Sequence, residues 1–225
     1  MNVAIVVAGG QGTRFGGHRP KQFLEIHGVP VIIHTLRRFE QSALIERVIV
    51  VLPAADTDAF QLLIEKFELQ KVSHVVAGGE TRAQSVMKGL AAIEQANVVA
   101  VHDAVRPLVT ADEIDRVVAV AADTGAAILV APVSDTIKQV QAEQIVTTVP
   151  RAELRRALTP QAFHFHILKR AYQDLEELEA SGIDVTDDCF LVERLDVSVA
   201  IVEGSARNIK ITTPEDLTMA GALLG

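Results

Sequence analysis

Three groups of residues in this chain have types and spacings that could do chemistry. The first follows the apolar run Val3–Val7: Ala8, Gly9, Gly10, Gln11 and Gly12 lead to Arg14, Arg19 and Lys21. The first 24 residues hold no aspartate or glutamate, although the chain carries a formal charge of −8. Glycines let backbone amides approach phosphate oxygens with no Cβ in the way. An arginine grips phosphate through two parallel N–H bonds, and a lysine supplies a mobile point charge. Arg14 and Lys21 beside one polyphosphate suit phosphoryl or nucleotidyl transfer, where charge on the phosphorus oxygens must be neutralised. The plainer alternative is an exposed strand-to-helix turn with incidental charges.

The second group is Asp103 and Arg106, just past the apolar run Val98–His102. Open α/β sheets bind ligands outside the carboxyl ends of their strands. One carboxylate with phosphate oxygens and water makes an ordinary Mg²⁺ shell. The competing roles are a turn aspartate bonded to local amides and a structural ion pair with Arg106. The third group is Gly79, Glu80, Arg82 and Ser85 at the start of a helical pattern. Arg82 and Ser85, three positions apart, share a helix face.

Two familiar phosphate loops fail at named residues. A Walker A frame from Gly12 reaches Gly17 and His18, with neither lysine nor hydroxyl. A dinucleotide frame from Gly10 meets Phe15 where its third glycine belongs, and Pro53, Ala54 and Ala55 follow Leu52 where a ribose acid is needed. An NAD-dependent dehydrogenase is disfavoured on both counts.

The elements that must position these groups alternate. Strands are expected at Val3–Val7, Arg47–Leu52, Val72–Val76, Val98–His102 and Ala127–Ala131, with amphipathic helices near 30–41, 56–68, 81–95 and 111–123. Continuous apolar strands between helices indicate an α/β fold, Rossmann-like, with a mostly parallel central sheet covered on both faces. Thr110 and Glu113 form a capping box, and Thr213-Pro214-Glu215-Asp216 starts a last helix. A helix at about 165–180, a short element after Thr186, and strands near 198–203 and 208–211 complete the pattern. Residues of about 132–151 break the rhythm: Thr136–Val140 and Gln144–Val149 flank a polar turn and read as an inserted β-hairpin arm. A lone hairpin is marginal, so it is expected to dock on a second subunit. Residues 1–225 are read as one domain.

Apolar residues make up 49% and aromatics 4%, so Val, Ile, Leu and Ala must build the core. The acidic balance argues against nonspecific nucleic-acid binding. No run approaches the ~18 apolar residues of a membrane span. No basic lead-in precedes the first apolar run, so no signal peptide is expected. One cysteine, Cys189, excludes an internal disulfide framework and suits a cytoplasmic location. His164 and His166 lack a third metal ligand at useful spacing. His102 reads as structural, and the acidic run Asp174–Glu179 as a solvated helix face.

The segments Ala8–Arg14 and Pro20–Leu24 resemble the signature of sugar-phosphate nucleotidyltransferases. Val99–Pro107 resembles the marker of one branch, the 2-C-methyl-D-erythritol 4-phosphate cytidylyltransferases. Gly78–Ser85, Asp135–Lys138, Leu158–Gln161, Thr186–Asp188 and Asn208–Thr212 match in order over nearly the whole chain. Gly10 stands where many relatives carry alanine, and Asp188-Cys189 replaces the Glu-Ala or Glu-Ser common after Thr-Asp.

The resemblance implies cytidylyl transfer from CTP to a sugar-alcohol phosphate with release of pyrophosphate, in the presence of Mg²⁺. It implies that Arg14 and Lys21 stabilise the transition state, and that Arg151 and Lys210 hold the acceptor phosphate. Ala8, Gly9, Gly10, Gln11, Gly12, Gly79, Glu80, Arg82, Ser85 and Asp103 would bind the nucleotide, the Ser85 hydroxyl touching the base. Asp103, Arg106, Thr136, Thr159 and Thr186 would face the acceptor, and Asp103 would also hold the metal. A homodimer joined by the hairpin arms is implied, with Arg151 serving the partner's site. A ribitol-5-phosphate cytidylyltransferase shares the nucleotide half and is the nearest rival. A nucleotide-binding regulatory module without catalysis is the rival of a different class.

Overall fold

The computed structural model describes residues 1–8 and 20–225. Gly9, Gly10, Gln11, Gly12 and Arg14, expected at the site, therefore lie outside the described residues. The chain runs β1 (Val3–Val7), a 3₁₀ turn (Lys21–Phe23), β2 (Glu25–Ile26), β3 (Val29–Pro30), α1 (Val31–Gln41), β4 (Arg47–Leu52), a 3₁₀ turn (Ala54–Asp56), α2 (Thr57–Lys66), β5 (Val72–Ala77) and α3 (Arg82–Ala91). It continues with β6 (Val98–Asp103), α4 (Ala111–Thr124), β7 (Ala126–Pro132), β8 (Ile137–Gln141), β9 (Gln144–Val149) and β10 (Arg155–His164). The last elements are α5 (Phe165–Ala171), α6 (Leu175–Ala180), α7 (Asp188–Glu193), β11 (Ala200–Glu203) and α8 (Pro214–Leu224).

Seven strands form the main sheet in the order β11-β7-β10-β6-β1-β4-β5. Only β10 runs antiparallel to its neighbours. The alternation of side chains along β1 divides the core. Ala4 and Val6 pack with Ile32, Leu36 and Phe39 of α1 and with Ile114 and Val117 of α4. Val3, Ile5 and Val7 face the other way, toward Val86 of α3, Leu168 of α5 and Leu191 of α7. Both faces of β1 are thus covered, which is why the strand reads as an unbroken apolar run.

After β1 the chain adds β4 and β5 on one side, then crosses to place β6 on the other. The strand order therefore reverses at the β1–β6 boundary, where a crevice opens outside the carboxyl ends. Val7 stands beside Asp103 in the register, and Ala104 N–H donates to Val7 O at 2.9 Å.

The sequence reading departs from the structure at four elements. The helix expected over 165–180 is two, α5 and α6, separated by the turn at Tyr172–Asp174. No strand forms at 208–211; a single backbone bond, Ile211 N–H to Val105 O at 2.9 Å, and the side chains of Asn208 and Lys210 hold that segment instead. Strand β10 is not among the expected strands; it contains Pro160, a residue that normally argues against an interior strand, and the proline sits in a register shift between Ala157 and Gln161. The small β2–β3 hairpin also went unread, although its turn residues His27 and Gly28 take φ of 51° and 75°, as a two-residue turn of the primed type requires. Both expected helix caps are present, and Asp216 makes the cap of α8 a full capping box.

Candidate active site

Asp103 ends β6 with its side chain 8% exposed, and it collects three cations. Arg82 Nε donates to Oδ1 at 3.0 Å, Arg106 Nε donates to Oδ2 at 3.3 Å, and Lys210 Nζ forms an ion pair with Oδ2 at 3.0 Å. Burial works to raise the Asp103 pKa, but Arg82, Lys210 and Arg106 hold it far below the usual carboxylate range. The Lys210 side chain is 40% exposed, so this cation can also meet a ligand arriving from solvent.

Each cation arrives from a different part of the chain. Arg82 opens α3 just after its N-cap Thr81. Its Nη2 donates to Asp188 Oδ2 at 2.8 Å, and Tyr172 Oη donates to Asp188 Oδ1 at 2.5 Å. Burial pulls the Arg82 pKa down, yet Asp188 and Asp103 hold it well above the ordinary value. Gln161 of β10 fixes the backbone beneath: its Oε1 accepts from the amides of Asp188 and Cys189, at 3.1 and 2.9 Å. Arg106 spans from Asp103 to Asn208 O, at 2.9 Å through Nη1. Asn208 Nδ2 donates to Thr159 O at 2.9 Å, which ties the Lys210 segment to the β10 irregularity.

Thr159 and His102 form the floor. His102 Nε2 lies 3.2 Å from Arg106 O, and a carbonyl can only accept, so Nε2 carries the proton. Nδ1 then accepts from Thr159 Oγ1 at 2.9 Å, and Thr159 Oγ1 accepts from Asp103 N–H at 3.2 Å. Burial pushes the His102 pKa down to about 3, so the ring is neutral. His102 is structural, as its sequence position suggested.

Lys21 opens the 3₁₀ turn that follows residue 20. Its neighbour Gln22 is buried and donates through Nε2 to Ala8 O at 3.0 Å. That bond brings residue 21 back to the end of β1, beside Val7 and Asp103. On the far side of β4, the turn after β5 leads into α3. Ser85 is fully buried there; its hydroxyl donates to Thr81 O at 2.9 Å and accepts from Gly79 N–H at 3.1 Å. It shapes the turn that carries Gly79 and Glu80, and its one proton is already committed.

Arg82, Asp103, Arg106, Thr159 and Lys210 are thus brought together, and Gln22, next to Lys21, is tied to Ala8 just past the end of the neighbouring strand. Arg151, Thr136 and Thr186 are exposed, and no hydrogen bond or ion pair among the described residues joins them to Asp103. Arg151 donates to Ser134 O across the base of the hairpin. Sequence reasoning gave no site role to Asp188, Tyr172, Gln161 or Asn208, although Gln161, Asp188 and Asn208 lie within matched motifs. Thr186-Asp187-Asp188 had been noted as a motif, but nothing in spacing showed that Asp188 meets Arg82.

A divalent cation does not fit directly on Asp103. Both of its oxygens already accept from cations, and three positive groups surround the spot where the ion would sit. Asp188 is equally occupied, and the described residues hold no cluster of three or more potential metal ligands.

A family model described as 2-C-methyl-D-erythritol 4-phosphate cytidylyltransferase matches residues 2–225. The enzyme of that name from Bacillus velezensis is 44% identical over 223 residues, covering 99% of this chain and 95% of the relative. The one from Halalkalibacterium halodurans is 43% identical over 225 residues, covering 100% and 97%. Among solved structures, the 4-diphosphocytidyl-2C-methyl-D-erythritol synthase of Anaerococcus prevotii superposes with a TM-score of 0.84 at 30% identity, covering 100% of this chain and 98% of the other. The Thermus thermophilus cytidylyltransferase gives 0.80 at 33% identity, covering 100% and 99%.

Proposed function

The chain belongs to the 2-C-methyl-D-erythritol 4-phosphate cytidylyltransferase family, and we propose that it carries out the family's reaction around Asp103, at the carboxyl edge of the sheet. It transfers the cytidylyl group of CTP to 2-C-methyl-D-erythritol 4-phosphate, giving 4-diphosphocytidyl-2-C-methyl-D-erythritol and pyrophosphate, a step in non-mevalonate isoprenoid precursor synthesis.

An acceptor phosphate oxygen forms a bond to the α-phosphorus of CTP as the bond to pyrophosphate breaks. The acceptor phosphate is already ionised at neutral pH, so no protein base is needed. The obstacle is repulsion between two anions, and the remedy is positive charge held in place. The observation that carries the assignment is Lys210, 40% exposed and 3.0 Å from a buried carboxylate that also holds two arginines. Asp103 fixes these cations in advance, and Lys210 offers its open side to the acceptor phosphate. Such positioning matters because an error of about 1 Å can cost about 10²-fold in rate.

Arg14 and Lys21 are assigned to the reacting phosphate of CTP, and residues 79–85 to its base. Arg106, Thr136 and Thr186 are assigned to the acceptor, while Thr159, expected there from its sequence, has its hydroxyl spent on His102 and Asp103 and supports the floor instead. A Mg²⁺ ion, if the reaction uses one, is assigned to the triphosphate and not to Asp103. The dimer through β8 and β9 is part of the same proposal: Val140, Ile145 and Val146 expose 58%, 67% and 54% of their surface there, and burying them against a second arm would remove that apolar area from water. Arg151, at the foot of the arm, then serves the partner's site. A cytosolic location accords with the single buried thiol of Cys189.

Pyrophosphate release from CTP with 2-C-methyl-D-erythritol 4-phosphate, and with ribitol 5-phosphate in parallel, tests the reading. Preference for the methylerythritol substrate is expected. Preference for ribitol phosphate would overturn the acceptor, and binding of CTP without pyrophosphate release would overturn the enzyme.

A further inference from the structure

The acidic stretch Asp174–Glu179 reads in sequence as a solvated helix face, but one of its carboxylates is fully engaged. Glu179, half-buried on α6, accepts from Thr81 Oγ1 through Oε1 and from Gln84 Nε2 through Oε2, each at 2.7 Å. These partners shape the turn between β5 and α3. Thr81 is the N-cap of α3 and accepts from Gln84 N–H at 3.1 Å. Gln84 Oε1 accepts from Glu80 N–H at 3.0 Å. Gly79 lies directly on Gln84: a Cβ at Gly79 would stand 2.4 Å from Gln84 Cβ.

The Gln84 side chain has two ends of opposite character, and only one orientation supports the turn. Its oxygen must face Glu80 N–H, which leaves its NH₂ to find an acceptor. An ionised carboxylate only accepts, so Glu179 selects that orientation. Without it the amide is free to rotate, and the NH₂ end would oppose the Glu80 N–H. The same carboxylate holds the Thr81 hydroxyl so that its lone pair faces the first turn of α3.

We propose that Glu179 is a positioning residue for nucleotide recognition, setting the Gln84 amide and the Thr81 cap and, through them, the backbone of residues 79–81 that meets the base of CTP. The inference rests on the assignment of residues 79–85 to the base. Hydrogen bonds from a backbone to a base edge weaken steeply with misalignment, so a small shift of this turn is felt in CTP affinity. Among the described residues Glu179 forms no hydrogen bond or ion pair with Asp103, Arg106 or Lys210, so acceptor binding is spared.

Steady-state kinetics of Glu179→Ala, with CTP and acceptor varied separately, test this. The expected result is a KM for CTP raised about tenfold, the scale of one lost charge-assisted hydrogen bond, with the KM for the acceptor unchanged. Glu179→Gln keeps one strong acceptor and should fall between; it carries the same comparison if the alanine variant folds poorly. Gly79→Val serves as the control for the underlying assignment. If Gly79→Val raises the KM for CTP and both Glu179 variants leave it within twofold, the role of Glu179 is overturned. If none of the three changes it, the base assignment itself falls. Equal rises in both KM values, with a lowered melting temperature, would mark Glu179 as merely structural and also overturn the proposal.

Discussion

Arg82 donates to Asp188 at 2.8 Å across 106 residues of chain, and the same guanidinium reaches Asp103 at 3.0 Å. Asp188 is 0% exposed, so the outer end of this bridge is buried in the fold. Burial and the neighbouring Asp188 raise the Tyr172 pKa well above its usual value, which keeps the phenol a hydrogen-bond donor at any working pH.

Asp188→Ala removes one anchor of Arg82 and orphans the Tyr172 hydroxyl. Breaking a buried ion pair from one side costs about 3–5 kcal/mol, and urea unfolding measures it. Turnover should fall as well, since Arg82 would no longer be held against Asp103. Tyr172→Phe leaves one carboxylate oxygen unpaired and should cost about 1–3 kcal/mol. A Tyr172→Phe loss as large as that of Asp188→Ala would contradict this ranking.

Lys21→Ala should lower turnover by about 10²–10³, with a much smaller effect on CTP affinity. Single-turnover kinetics separate the two. An unchanged rate of chemistry would remove Lys21 from the mechanism.

If Arg151 serves the partner's site, homodimers of Lys21→Ala and of Arg151→Ala are each nearly inactive, yet mixing them restores activity. Each exchanged dimer regains one site with both wild-type residues. Subunit exchange followed by fluorescence transfer shows that mixing occurred; no recovery after proven exchange would count against a shared site.

His102 makes stability fall as pH falls. Its folded pKa, about 3, lies below the ordinary value of 6.5, so on acidification the unfolded chain takes up a proton that the folded chain refuses. This contribution is present above about pH 6.5 and is lost as pH falls toward 3, at about 1.4 kcal/mol per unit. Asp103 favours the charged ring, Arg106 and Arg82 oppose it, and the Phe39 ring of α1 stands 5.1 Å away. Between pH 6.5 and 4.5 the wild type should lose about 2–3 kcal/mol through this residue. His102→Gln should show a flatter profile by that amount; identical slopes would refute it.

Much of the fold was legible because its signals are local. Continuous apolar runs marked β1, β4, β6 and β7, with boundaries within about a residue, since each is buried on both faces, while the edge strand β5, only partly covered, was marked by Val72, Val75 and Val76. Thr110 and Thr213 marked two helix starts through bonds spanning three residues. Strand β10 hid behind Pro160, because only its neighbours β6 and β7 make an irregular strand stable there.

The sequence by itself determined the alternating α/β pattern, the cationic glycine loop and the motifs that carry the family. Those depend on residue type and short spacing. Only the tertiary structure decided that Asp103 would gather Arg82, Arg106 and Lys210, that Ser85 would spend its proton inside the turn, and that Asp188 and Glu179 would reach back to residues 81–84. These pairings join segments up to 107 positions apart. No helical or strand periodicity encodes them; they exist because the strand order reverses at β1 and β6 and brings the ends of distant elements to one edge.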